Sequence, residues 1–116
     1  MDKIPRLEHL LSAVVSDQTD RLAFFAIINL GVVETLVNGS IGAAEAVSNF
    51  YDADNCLFVK NVLKDKTANR IMSHGVQLPD LFDSLSFEDA QREFVHELAT
   101  MRSLCLQLLE SRRQVA

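Results

Sequence analysis

Residues 22–37, LAFFAIINLGVVETLV, place twelve apolar side chains in sixteen positions, with no lysine or arginine among them. At about 100° per residue, Asp20, Gly31, Glu34, Thr35 and Asn38 fall on one narrow stripe. Leu22, Phe25, Ala26, Ile28, Val33 and Leu36 cover most of the remaining circumference. A helix that is apolar nearly all round has to be wrapped by other elements, so the rest of the chain is expected to supply those partners. The run is shorter than the roughly 20 mainly apolar residues that span a bilayer, and Asn29 and Glu34 interrupt it. No transmembrane segment is expected.

The flanking segments also carry helical spacing. Ile4, Leu7, Leu10, Leu11, Val14 and Val15 form one stripe of a helix at about 3–16, with Pro5 in its first turn, where a missing N–H is harmless. Polar residues 16–19 turn the chain into the central helix, about 19–38, which Asn38 and Gly39 close as a C-cap pair. Ser40 is placed to cap a third helix at about 41–51, with Gly42, Ala43, Ala44 and Ala46 small enough for close backbone approach and Phe50 and Tyr51 anchoring its end. Asp52 and Asp54 offer caps for a fourth, about 54–66, in which Cys56, Phe58, Val59, Val62 and Leu63 share a side. That helix has room to run on to His74, with Gly75 as its stop. Pro79 then starts a short helix that turns Leu81, Phe82 and Leu85 to the core.

Residues 86–89, SFED, have capping-box spacing and open the longest helix, about 87–112. Its stripe runs through Phe87, Ala90, Phe94, Leu98, Met101, Cys105, Leu108 and Leu109, and Arg112 and Arg113 suit the negative end of its dipole. No segment alternates apolar and polar residues between hairpin turns, so strands are not expected. The expected fold is all-α: one domain over residues 1–116, an irregular orthogonal or up-and-down bundle of five or six helices around the buried central one.

A formal net charge of −5 argues against general affinity for nucleic acid or anionic membrane, both of which need a basic surface. The N-terminal residues mix acids with bases and lack the pattern of a signal peptide, which points to the cytoplasm. Cys56 and Cys105, without a CxxC, make neither a disulfide framework nor a zinc knuckle; on apolar faces they read as small core residues, expected reduced.

The chemical motifs are few. Glu93 and His96 have the Glu-x-x-His spacing of di-iron bundles, but there is no second copy and His96 falls opposite the apolar stripe. Asp52, Asp54 and Asn55 open like a calcium loop, yet the turn glycine and closing glutamate would fall at Leu57 and Leu63. No metal and no cofactor is expected, and no GxSxG, HExxH, GxxxxGK[ST] or GxGxxG indicates a common enzyme class.

Three features remain as candidates. Asn29 lies among apolar partners, where an amide must be satisfied or cost roughly 1–3 kcal/mol, either fixing helix register or lining a pocket. Leu104, Leu106, Leu108 and Leu109 broaden the last helix's stripe and make a candidate interface. Lys60, Lys64, Lys66 and Arg70 form a basic patch, read first as a solvated face. The expected function is therefore a non-catalytic protein–protein interaction module, homodimeric and of the size of adaptor, immunity or antitoxin-like proteins. The alternatives are a small-molecule binder or helical enzyme with a pocket near Asn29, between the central and last helices, and a nucleic-acid-binding regulator using the basic patch.

Overall fold

The computed structural model of the chain describes residues 6–14 and 17–115, apart from the side chains of 13, 14 and 112–115. Among them every regular element is helical: α1 (Leu7–Val14), α2 (Gln18–Val37), α3 (Ala43–Asn49), α4 (Ala53–Phe58), a π-helical turn (Val59–Leu63), α5 (Lys66–Ser84) and α6 (Phe87–Val115). The chain is thus the all-α bundle that its spacing implies, with the long C-terminal helix in place. Aspartates set three helix starts. Asp17 accepts from the N–H groups of Thr19 and Asp20, Asp52 from that of Asn55, and Asp65 from that of Ala68, which satisfies donors that a first turn leaves without partners. The end of α2 is a Schellman motif: Gly39 takes φ 80°, its N–H donates to Leu36 O, and the N–H of Ser40 donates to Thr35 O.

Several boundaries differ from the sequence reading for local reasons. Residues 3–5, 15 and 16 of the first predicted helix lie outside the described residues, as do the side chains of Arg112 and Arg113. Ser40 does not cap α3; its hydroxyl donates to Asn38 Oδ1, and α3 starts at Ala43 after Gly42. The helix predicted at 54–66 widens at Val59 into the π turn, where Lys64 N–H donates to Val59 O at 2.9 Å. Lys64 itself takes φ 50°, ψ 45° and ends the helix. The wider turn breaks the 100° phase, and Val62, expected on the apolar side, is 47% exposed.

The largest difference is α5, which runs unbroken through His74, Gly75 and Pro79. Gly75 is no stop. A Cβ there would stand 2.6 Å from three atoms of the Tyr51 ring, so the glycine exists to let a buried ring lie on the helix. Nor does Pro79 start a helix, although its missing N–H removes the donor that would otherwise reach the Gly75 carbonyl. His74 sits in mid-helix and faces α6, with Nδ1 2.6 Å from Glu97 Oε1.

One hydrophobic core joins all six helices, drawing Leu7 and Leu11 from α1, Phe25, Ala26, Val33 and Leu36 from α2, Ile71, Met72 and Leu78 from α5, and Leu98, Met101, Leu104, Cys105 and Leu108 from α6. Helix α6 packs along both α2 and α5, so its buried stripe must serve two neighbours. Phe87, taken as part of that stripe, is 73% exposed at the helix's first position. Helix α2 touches α1, α3, α5 and α6 but is not wrapped all round. Phe24, Ile27, Gly31 and Glu34 form an exposed outer face.

Candidate functional site

Two kinds of place on α2 could do chemistry or binding, one facing inward and one outward. The inward one is Asn29, fully buried. Its Nδ2 donates to Phe25 O at 3.0 Å, and its Oδ1 accepts from the Tyr51 hydroxyl at 3.1 Å. A neighbouring buried amide, Asn55, donates to Phe50 O at 2.8 Å and accepts from Leu7 N–H at 3.1 Å, tying α1 to the turn before α4. Desolvation pushes the Tyr51 phenol well above its ordinary range, and Cys105 and Cys56 push it the same way. These groups make a closed polar hub whose hydrogen bonds are spent inside the protein. Asn29 lines none of the cavities described below.

The outward place is a groove of about 580 Å³ between the C-terminal half of α2, the turn into α3, and α6. Its floor is Val33, Leu36, Phe94 and Leu98; Val37, Phe82 and Val95 form its rims, Phe82 standing edge-on to Phe94 with ring centroids 5.4 Å apart. Val37 and Val95 are 61% and 65% exposed and Phe82 39%, so apolar side chains stand open to water along both sides. Along α6 the groove extends from Gln91 to Arg102, about 16 Å at the helical rise of roughly 1.5 Å per residue. Among the described residues Arg102 is the single charged one lining the groove, and it forms no ion pair with any of them.

A groove lies between the central and last helices, one turn along α2 from Asn29: Val33, four residues on and on the same face, lines it, whereas Asn29 is bonded to Tyr51 in the core. The leucine patch is also corrected. Leu104 and Leu108 are buried in the core and Leu109 is partly buried against it, since α6 has two neighbours to satisfy. Leu106 alone is open, 43% exposed. Val37 and Val95 were not singled out from sequence, where the expected stripes left them unused, and Phe82 and Leu85, expected to turn to the core, are 39% and 40% exposed.

Other candidates lead to little chemistry. Lys60, Lys64, Lys66 and Arg70 are all exposed, but the π turn and the left-handed Lys64 divide them between two elements. Glu93 and His96 are exposed, and among the described residues no group of three or more His, Cys, Asp or Glu is arranged to hold a metal. Both cysteines are free. Burial pushes the Cys105 thiol up to about 12 and raises that of Cys56, helped by Asp52, the reverse of what a thiolate nucleophile needs. Among the described residues no helix is long and apolar enough to cross a membrane. Comparison with known proteins finds no match, whether to a protein family, a curated protein or a solved structure.

Proposed function

We propose that the protein is a cytoplasmic, non-catalytic interaction module whose working surface is the groove between α2 and α6. The observation that carries this reading is the exposure of Val37, Val95 and Phe82 around an apolar floor. Ligand pockets enclose most of a small molecule's surface; an open trough with bare apolar rims would leave such a ligand half in water, whereas apolar side chains of a protein partner cover floor and rims together. The free thiols fit a reducing compartment. Self-association, expected from the sequence, is kept with its surface moved from the four leucines to this groove.

Crosslinking in the host cell tests the reading, with the wild-type chain compared against Val95→Glu. The wild type is expected to give specific protein adducts that the variant loses. Equal adducts from both would remove the groove from the function, and a small molecule retained in native mass spectra instead would make the groove a ligand site.

A further inference from the structure

We infer that the partner seated in the groove is a second copy of the chain, docked by an antiparallel two-fold crossing of α2 on α2 at Gly31. The inference rests on the groove being a protein-docking surface. A two-fold interface must carry projection and recess in one patch, because each copy offers both. Helix α2 meets that condition. Its outer face presents Phe24 and Ile27, 36% and 52% exposed, on the N-terminal half, and the groove borders its C-terminal half at Val33, Leu36 and Val37. Between them lies Gly31, exposed and with nothing within 4 Å of where a Cβ would stand, which lets two backbones approach closely. Crossing there lays each Phe24 and Ile27 over the other copy's Thr35 to Asn38 segment, beside Val37 and the open rim.

Charge fixes the same arrangement independently. Thr19 and Leu22 share a cavity with Gln107, Leu108 and Ser111, while Leu36 and Val37 share the groove with Phe94 and Val95; the two helices therefore run antiparallel, and Arg102 stands level with Ile28 and Asn29. In the crossing about Gly31, Glu34 of the second copy comes opposite Ile28, and so beside Arg102. Glu34 is exposed, and among the described residues neither it nor Arg102 has an ion-pair partner in its own chain. The symmetry makes this pair twice, at the edge of an apolar contact, where opposite charges set register and like charges oppose assembly.

Sedimentation of the full chain tests the assignment. Wild type is expected to be dimeric. Glu34→Lys and Arg102→Glu, each alone, are expected to weaken the dimer roughly tenfold or more, and an equimolar mixture of the two to recover it as a heterodimer. Gly31→Gln is expected to weaken it as well while circular dichroism shows the monomer still folded. A wild type that stays monomeric at several hundred micromolar overturns the second copy as occupant, and leaves the groove itself to the crosslinking comparison. A dimer indifferent to all three substitutions overturns the α2 crossing. If that dimer also survives Val95→Glu, self-association does not use the groove, and the crosslinking comparison alone decides whether another protein does.

Discussion

The two sides of α2 reverse what polarity alone would assign. Inward, an amide is fully buried with Tyr51 bonded to it and Gly75 cleared for the ring. Outward, Phe24, Ile27 and Val37 stand in water. The hub is over-determined: amide, phenol and glycine each have one arrangement that avoids a lost hydrogen bond or a clash. The groove is under-determined, because Val37 and Val95 at its rims are more than half exposed. Residues whose cost of change falls on the fold are thus separated, on a single helix, from residues whose cost of change would fall on binding. Substitutions on the two sides should differ sharply in what they do to the isolated chain.

The largest effect is expected at Gly75. Alanine would put its Cβ 2.6 Å from the Tyr51 ring, a separation the packed interior has to relieve by moving the ring or the helix. Overpacking of this kind costs about 1–3 kcal/mol or more, against a gain of only about 1 kcal/mol from removing a helical glycine. Urea denaturation of Gly75→Ala measures the difference. A variant as stable as wild type would mean that Tyr51 does not lie on α5.

An effect of similar size is expected from the hydrogen bond above it. Tyr51→Phe leaves the buried Oδ1 of Asn29 without its donor, and Asn29→Leu leaves the Tyr51 hydroxyl without its acceptor, each at roughly 1–3 kcal/mol. Removing both groups removes the orphan, so the double variant should cost less than the two single losses added together. Strict additivity in the cycle would show that the two residues do not act as a pair.

How much of this was legible in the sequence differs between the two sides. The all-α class, the central helix and the long last helix follow from apolar spacing, but α5 was read as the end of one helix and the start of another. The buried position of Asn29 follows from its phase on α2. The tyrosine that satisfies Asn29 does not, because Tyr51 is far along the chain and pairing across a fold leaves no local period. Gly75 and Pro79 misled for the same reason: both are helix-enders by local propensity, and packing against Tyr51 and α6 overrides that preference in α5. The π turn was invisible because a single wide turn has no composition of its own, yet it reverses the exposure of Val62. The groove was half legible. Its location between the central and last helices was anticipated, but its rims depend on which of several apolar positions the neighbours leave uncovered, and α6 having two neighbours buried Leu104 and Leu108 instead.

The smallest effect is expected where the groove alone is altered. Val95 is 65% exposed on α6, so replacing it with glutamate forfeits little buried area. Glutamate also has the higher helix propensity, since the branched valine loses side-chain freedom against the preceding turn. In dilute solution, where self-association makes no contribution, the stability of Val95→Glu should stay within about 0.5 kcal/mol of wild type. Denaturation at two protein concentrations separates the terms. The variant's midpoint should not depend on concentration, whereas that of a self-associating wild type rises with it by mass action. A loss above about 2 kcal/mol in dilute solution would be in the range of a deleted core side chain, and would place Val95 inside the fold and not at the rim of a docking surface.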